Sequence, residues 1–133
     1  MTSPLAAAPA APATILLSER VGPIAVLTLN RPSARNSLSE ALIAELQHSV
    51  TALGGDRSVR AIVIAANGPA FSAGHDLKEL TARRRDADRG RAYFAMLMTA
   101  CSEMMQTIVR CPKPVVAAVQ GVATAAGCQL VAS

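Results

Sequence analysis

Apolar and polar residues in the first half of the chain are arranged in patterns that predict two strands, a helix and a third strand. Residues 14–18 and 24–29, on either side of Val21-Gly22-Pro23, predict a hairpin. A capping-box pattern, Ser37-Leu38-Ser39-Glu40, then opens a segment with apolar residues at helical spacing, which Gly54-Gly55 ends. Residues 59–65, VRAIVIA, are typical of a parallel strand covered on both faces.

The second half alternates helix and strand in the same way. Asp76 can cap a helix that runs to about residue 84, and a longer helix from about residue 91 ends at Cys111-Pro112-Lys113-Pro114. Its apolar face is predicted to comprise Phe94, Leu97, Met98, Cys101, Met104, Met105 and Ile108. Residues 115–119 predict another buried strand, and the small residues of 121–127 form a loop before a last helix near Ala126. The alternation predicts an α/β layered domain.

The last predicted helix reaches Ser133 after only about two turns, a length that is marginal for a helix alone. We therefore expect the domain to be incomplete at its carboxyl end. At the other end, residues 1–13 are an Ala/Pro tract without a charged side chain, which predicts a disordered tail. The domain is expected to span residues 14–133. The tract has neither the basic start of a secretory signal nor the arginines of a transit peptide, which favours the cytoplasm.

Composition excludes several classes of protein. The chain has 133 residues, the length of one domain, and no apolar stretch long enough for a membrane span. It has no Trp, one Tyr and two Phe, so it offers no stacking platform for nucleic acid. Three Cys and two His without metal-ligand spacing predict neither disulfides nor a metal site.

The net charge of +4 comes mainly from one group of arginines. This arginine cluster comprises Arg83, Arg84, Arg85, Arg89 and Arg91. Asp86 and Asp88 interrupt it, which favours a solvated helix or connector over a surface for an anionic partner.

Two loops, 67–77 and 120–128, are candidates for a ligand site. Each follows a predicted buried strand and opens a predicted helix, and α/β ligand sites form at the carboxyl ends of parallel strands. Their small residues let a ligand approach backbone N–H groups, which favour an anion or a developing oxyanion. From the residues alone, tight strand-to-helix turns without function remain an equal alternative, because neither loop matches a P-loop or GxGxxG pattern.

Three ordered motifs carry a resemblance to a known family. They are Leu29-Asn30-Arg31-Pro32 with Asn36-Ser37-Leu38, then 71–77 (FSAGHDL), then 112–121 (PKPVVAAVQG) with Gly127-Cys128. In this order and spacing the chain resembles the enoyl-CoA hydratase/isomerase (crotonase) superfamily from about Thr14 to Ser133. Residues 123–130 most resemble its branch called enoyl-CoA hydratase domain-containing protein 3.

The resemblance implies a fold, a ligand and an assembly. The fold is a repeated ββα spiral, and the ligand is an acyl-CoA or enoyl-CoA thioester, with coenzyme A as part of the substrate and no permanently bound cofactor. The assembly, for the full-length protein, is a homotrimer or a hexamer. The resemblance also implies that the backbone N–H groups of His75 and Ala126 hold the thioester oxygen as it becomes an enolate, in an oxyanion hole.

The same resemblance implies a path for coenzyme A along two segments. These are Ser33, Ala34 and Arg35, and then Ala73, Gly74, His75, Asp76 and Leu77. Arg35 is a phosphate contact or, equally, a surface charge. Asp76 is expected to cap a helix rather than act as an acid, and the His75 side chain is expected to point along the ligand channel.

One position departs from the family pattern. Hydratases of this family carry a catalytic glutamate directly after the Gly-Cys pair, where this chain has Gln129. An amide does not exchange protons as a carboxylate does, so ordinary two-carboxylate hydration is not expected from these residues. The expected function is polarisation of an acyl-CoA thioester in fatty-acyl-CoA metabolism, by hydration or isomerisation. The alternative is a non-catalytic acyl-CoA-binding or regulatory subunit.

Overall fold

A computed structural model describes residues 13–133, so the predicted tail lies, except for its last residue, outside the described residues. The elements, in chain order, are β1 (Leu16–Val21), β2 (Ile24–Leu29), a 3₁₀ turn (Pro32–Ala34), α1 (Glu40–Gly55), β3 (Ala61–Ala66), β4 (Ala70–Ser72), α2 (Leu77–Arg83), α3 (Arg91–Val109), β5 (Val115–Ala117), β6 (Val122–Ala123) and α4 (Ala126–Ala132). The predicted alternation of helix and strand is confirmed, and the fold is mixed α/β.

Four strands form one sheet in the order β1-β2-β3-β5. The predicted hairpin is the antiparallel β1–β2 pair, and β2, β3 and β5 run parallel to one another. Parallel strands need crossover connections. Here α1 connects β2 to β3, while α2 and α3 lie between β3 and β5. The carboxyl ends of β3 and β5 therefore lie at the same edge of the sheet, and both candidate loops start there.

The core lies between the sheet and the pair α1–α3. It includes Leu42, Ile43, Leu46 and Val50 of α1 and Leu97, Cys101, Met104, Met105 and Ile108 of α3, with Ile62 and Ile64 of β3. The predicted apolar face of α3 is thus largely confirmed. The buried face is narrower than the predicted one, since Met98 is 42% exposed. Met96, which was not predicted to lie on this face, is exposed as well.

The predicted capping box at the start of α1 is wrong. The N-cap is Ser39, whose side-chain oxygen accepts a hydrogen bond from the Leu42 N–H at 3.2 Å. Ser37 is buried and lies before the helix. The Glu40 N–H donates to the carboxylate of Glu79 in α2 at 2.9 Å. A carboxylate from another helix therefore satisfies a free N–H of the first turn, which a local pattern does not reveal.

The observed bounds of three strands differ from the predicted ones. β1 runs over 16–21 rather than 14–18, so Val21 belongs to the strand and the turn is Gly22-Pro23 alone. β3 begins at Ala61 rather than 59. β5 ends at Ala117 rather than 119 and is not fully buried, because it is the last strand of the four-stranded sheet and Val116 is 53% exposed.

The arginine cluster lies on the end of α2, the connector and the start of α3, and all five residues are exposed. The Arg83 guanidinium stacks over the Tyr93 ring at 4.5 Å. Asp88 accepts hydrogen bonds from the Gly90 and Ala92 N–H groups at 2.9 and 2.8 Å, so it satisfies free donors at the start of α3. Within residues 13–133, no helix combines the length and the apolar character needed to cross a bilayer.

Candidate functional site

The two candidate loops are held together by a second, two-stranded sheet that the sequence did not predict. Each loop contains a very short strand, β4 in the first and β6 in the second. They pair in parallel, with Ala70 opposite Val122 and Ser72 opposite Ala123. The Gln120 side-chain amide donates to the Gly68 carbonyl at 2.9 Å and reinforces the junction. The loops therefore form one continuous surface at the carboxyl edge of the main sheet.

Glycines bring the two loops into direct contact. A Cβ atom on Gly127 would lie 2.3 Å from the Ser72 carbonyl oxygen, so only glycine fits between α4 and β4. A Cβ atom on Gly74 would lie 3.0 Å from the Ala125 Cβ and 3.3 Å from the Ala126 nitrogen. Gly74 also has φ +92°, a backbone conformation that favours glycine. The Ala-Gly pair of the first loop thus lies against the start of α4.

Where the loops meet, the free backbone N–H groups include those of His75 and Ala126. The peptides around His75 are fixed by Leu38, whose N–H donates to the Gly74 carbonyl at 2.7 Å and whose carbonyl accepts from the Asp76 N–H at 3.1 Å. Within residues 13–133, neither the His75 N–H nor the Ala126 N–H donates to an acceptor. Two free peptide donors from adjoining loops can stabilise negative charge on a ligand oxygen.

Ala125, which precedes the second donor, has strained backbone geometry. Its φ of 50° and ψ of −126° lie in a region that glycine adopts freely and alanine rarely does. Glycine at position 125 would adopt this conformation without strain.

We expect Ala125→Gly to raise the free energy of unfolding by about 1 kcal/mol, because it relieves this strain. Urea denaturation followed by circular dichroism measures the change. Ala44→Gly, an exposed alanine within α1, is the control and should lower the free energy by about 1 kcal/mol. Equal destabilisation by both substitutions would show that Ala125 is not strained.

Asp76 caps α2, as predicted. Its Oδ1 accepts from the Lys78 N–H at 3.0 Å and the Glu79 N–H at 3.4 Å, and its Oδ2 accepts from the Arg31 guanidinium at 2.9 Å. Burial alone would raise the pKa of Asp76, but these hydrogen bonds outweigh burial and hold the pKa below its usual value. The carboxylate is therefore ionised and structural, and it is not placed as a proton donor.

The lowered pKa makes Asp76 a source of acid sensitivity. Stability from a carboxyl whose pKa is depressed by folding is present above its unfolded pKa and lost as the pH falls through its folded pKa. Asp76→Asn should therefore lower the free energy of unfolding by about 2 kcal/mol at pH 7, and the difference should shrink below about pH 4. Urea denaturation between pH 2.5 and 7 is the measurement.

The control for that experiment is Asp86→Asn, which removes a carboxylate that is exposed and lies 3.9 Å from Arg83. Exposed ion pairs contribute little. We expect the free energy of unfolding of this variant to equal that of the unsubstituted chain at every pH. If Asp76→Asn lowered the free energy of unfolding by the same amount at every pH, the stabilising role of the ionised Asp76 carboxylate would be contradicted.

Sequence reasoning missed the side chains that position the first loop. Asn36 is fully buried, its amide donates to the carbonyls of Asn67 and Ala70 at 2.8 and 2.9 Å, and its Oδ1 accepts from the Arg31 N–H at 2.8 Å. Ser72 donates to the Asn36 carbonyl at 2.9 Å. Arg31 and Asn36 stood in the recognised motifs, but the sequence does not show their contacts to the first loop, since Asn67, Ala70 and Asp76 are 31 to 45 residues away in the chain.

The two segments expected to contact coenzyme A are neighbours. The Ala73 N–H donates to the Arg35 carbonyl at 3.0 Å, which places the 3₁₀ turn with Ser33 and Ala34 beside the first loop. Ser33 and Arg35 are exposed, and Leu77, the first residue of α2, is 71% exposed. The Arg35 guanidinium makes no hydrogen bond or ion pair with any residue in 13–133, so it is available to an anion.

His75 and Gln129 are the remaining predicted side chains. His75 is half-buried, and burial lowers the pKa of its imidazole. Gln129 is exposed in the first turn of α4, three residues after Ala126, and its side-chain amide has no hydrogen-bond partner within the described chain. Neither residue supplies a carboxylate beside the two free N–H groups.

Other parts of the surface do not compete for this chemistry. A groove of about 620 Å³ lies between α1 and α3, and its lining includes Gln47, Thr51, Glu103 and Arg110 but no residue of the candidate loops. The ends of α1 and α3 that line it lead towards the amino ends of β3 and β5, opposite the loops. No group of three His, Cys, Asp or Glu side chains within 13–133 converges as a metal site requires.

Comparisons with known proteins agree on one family. The sequence profile described as enoyl-CoA hydratase/isomerase matches residues 19–133. The chain is 47% identical to the mouse protein named enoyl-CoA hydratase domain-containing protein 3, mitochondrial, over 107 residues, which are 80% of this chain and 34% of the mouse protein. It is 36% identical to 2,3-dehydroadipyl-CoA hydratase of Escherichia coli K12 over 115 residues, which are 86% and 42% of the two chains.

Solved structures give the same result. An enoyl-CoA hydratase of Mycobacterium smegmatis superimposes with a TM-score of 0.81 at 50% identity, over 90% of this chain and 45% of that one. Human enoyl-CoA hydratase domain-containing protein 3 also has a TM-score of 0.81, at 41% identity, with the same coverage. The chain thus spans less than half the length of these relatives.

Proposed function

The chain belongs to the enoyl-CoA hydratase/isomerase family, and from this premise we propose that it binds acyl-CoA thioesters and polarises the thioester carbonyl between the N–H groups of His75 and Ala126. The family resemblance and its crotonase-type α/β fold are confirmed by the comparisons. The observation that carries the proposal is the pair of free peptide donors on adjoining loops. Thioester enolates place negative charge on one oxygen, which two such donors stabilise.

The proposed role of the backbone explains why the site tolerates unusual side chains. Both donors are peptide groups, so histidine and alanine at these positions leave the hydrogen bonds intact. Leu38 fixes the peptides on either side of His75, and glycine packing fixes the start of α4. Donors held in this way need no reorganisation during reaction, and each can lower the barrier by about 3 kcal/mol.

The proposed reaction is hydration or isomerisation of an enoyl-CoA, with the enolate oxygen held by the two N–H groups. Its proton transfer needs a single acid/base, a role that His75, Asp76 and Gln129 do not fill. The hydratase activity named for the relative from Escherichia coli supports a hydration chemistry for the family. Gln129 favours a second candidate, a non-catalytic acyl-CoA-binding or regulatory subunit, because an exposed amide stands where the family pattern has a glutamate. Both functions use the same two donors, and they differ in proton transfer.

Gln129→Glu separates the two candidates. The chain and this variant are titrated with crotonyl-CoA by calorimetry, and hydration is followed as loss of the conjugated thioester absorbance. Gained hydration in the glutamate variant, with binding unchanged, supports a competent enzyme site that lacks only a carboxylate. Binding without gained hydration supports the binding role. Gln129→Ala is the matched control, and absence of binding in all three chains contradicts the proposed function.

Assembly and location belong to the same proposal. We propose a homotrimer or hexamer, supported by the apolar residues Val116, Val119, Val122 and Val131, which are 37% to 63% exposed at the β5–α4 end. Light scattering of the purified chain tests this assembly, and a monomer contradicts it.

No nucleic acid or membrane partner is proposed. The mouse relative is named mitochondrial, and cell fractionation decides between a mitochondrial and a cytoplasmic location for this chain.

A further inference from the structure

The imidazole of His75 has two ring nitrogens in different surroundings. Nδ1 is enclosed and has no hydrogen-bond partner among residues 13–133. Nε2 is not enclosed in this way, and the residue as a whole is half-buried. Buried polar atoms without partners are rare in folded proteins, and each calls for a physical explanation.

The neighbouring carboxylate does not provide a partner for Nδ1. Both oxygens of Asp76 are occupied, Oδ1 by the Lys78 and Glu79 N–H groups and Oδ2 by Arg31. A proton on Nδ1 would be a buried donor without an acceptor, and orphaned buried N–H groups are rarer than orphaned acceptors. The doubly protonated ring would be a partly buried cation without a counter-ion. Both arguments place the single proton on Nε2.

The backbone position of His75, from which the imidazole ring extends, is fixed by hydrogen bonds. Hydrogen bonds to Leu38 on both sides hold His75 in place, and the free N–H of the same residue is one of the two proposed thioester donors. The ring donor is therefore within one side-chain length of that N–H, and the proposed thioester oxygen lies one hydrogen bond from the N–H. An oxygen on the third acyl carbon is only four bonds from the thioester oxygen, so the same ring can reach it.

We propose that neutral His75 donates a hydrogen bond from Nε2 to an oxygen on the third carbon of the acyl group, so that the site prefers 3-hydroxyacyl and 3-oxoacyl thioesters over unsubstituted ones. This rests on the proposed function, since it needs the thioester oxygen at the His75 N–H. His75 is then a specificity-determining residue, with its peptide and its side chain each holding one ligand oxygen. Imidazole protonated on Nε2 is a donor there, so it is not the base of the reaction.

The first test needs no ligand and no substitution. Long-range proton–nitrogen NMR spectra of the histidine-labelled chain at pH 7 report which nitrogen of each ring carries the proton. We expect His75 to be neutral and protonated on Nε2. His75→Gln assigns the signal, because His48 is the only other histidine in the chain. A proton on Nδ1, or a charged ring at pH 7, overturns the inference and leaves the oxyanion hole untouched.

The second test compares two ligands that differ by one oxygen. Calorimetry of the 133-residue chain should show that 3-hydroxybutyryl-CoA binds about fivefold more tightly than butyryl-CoA, the contribution of one neutral hydrogen bond. His75→Leu should abolish the preference, and His75→Gln should restore part of it, because its amide N–H lies near the position of Nε2. His48→Leu, an exposed histidine on α1, should leave the preference unchanged.

The outcomes separate the two proposals. Equal affinity for both ligands in the unsubstituted chain, or a preference that survives His75→Leu, overturns the inference while the proposed function stands. Absence of binding for both ligands overturns the proposed function and this inference with it. Loss of the preference in His75→Leu together with partial recovery in His75→Gln supports both.

Discussion

Gly127→Ala should lower the free energy of unfolding by about 3 kcal/mol and abolish acyl-CoA binding. The added Cβ would lie 2.3 Å from the Ser72 carbonyl oxygen and 2.8 Å from the Ser72 Cβ, and the nearest of these atoms is backbone. α4 would have to move away from β4. The Ala126 N–H would move with it, which separates the two proposed donors. Urea denaturation and calorimetry with crotonyl-CoA measure the two effects.

Gly55→Ala is the matched control for this substitution. Gly55 is the last residue of α1, and a Cβ there would meet no atom within 4 Å. Alanine stabilises a helix relative to glycine, so this variant should be as stable as the unsubstituted chain or gain up to about 1 kcal/mol. Full stability and full binding in Gly127→Ala would contradict the close approach of α4 and β4.

Asn36→Ala should lower the free energy of unfolding by about 3 kcal/mol, the second large effect. The substitution leaves the carbonyl of Asn67 and the N–H of Arg31 without the Asn36 side chain. The buried carbonyl of Ala70 loses one of two donors and still accepts from the Gln120 amide at 3.2 Å. Each unsatisfied buried group costs about 1–3 kcal/mol. Asn36 also has φ +50°, which asparagine tolerates better than alanine. The first loop should loosen, and binding of crotonyl-CoA should weaken with it.

The control for this prediction is another asparagine. The Asn67 side chain is exposed and donates to the half-buried Asn30 side chain at 3.1 Å, so Asn67→Ala should cost less than about 0.5 kcal/mol. Its backbone carbonyl, the acceptor for Asn36, is unaffected by the change. Comparable losses in the two variants would show that the buried network contributes nothing beyond an exposed amide.

The long elements could be predicted from the sequence because their patterns repeat over several turns or residues. α1 and α3 present apolar residues at helical spacing over three turns or more, β3 is a continuous apolar run, and β2 is apolar except for Thr28. β4 and β6 could not be predicted, since strands of three and two residues contain no period. They form because the main sheet brings the two loops together.

The errors have a common cause in tertiary contacts. Glu79 caps α1 from another helix, so the local Ser37 pattern indicated the wrong N-cap. Met98 lies outside the buried face of α3, because the surface of α3 that packs against α1 is narrower than the apolar face that the sequence predicts. β5 is half-exposed because its position in the sheet, rather than its composition, determines how much it is covered.

The candidate site was predictable only in part. Asp76 as a helix cap follows from its residue type and position, and the structure confirms it. The two peptide donors came from the family resemblance, because composition and spacing do not reveal which N–H groups remain free. The enclosed Nδ1 of His75 and the buried amide of Asn36 depend on residues distant in the chain, so only the folded structure reveals them.

The most direct test of the central claim is an amide NMR titration of the labelled chain with acetyl-CoA and, separately, with free coenzyme A. The two ligands differ only at the sulfur, which carries an acetyl group with its thioester carbonyl in acetyl-CoA and a hydrogen in coenzyme A. The account predicts that the His75 and Ala126 N–H resonances move downfield with acetyl-CoA and do not move in this way with coenzyme A. Identical shifts with both ligands, or thioester-specific shifts confined to other residues, would contradict an oxyanion hole at His75 and Ala126.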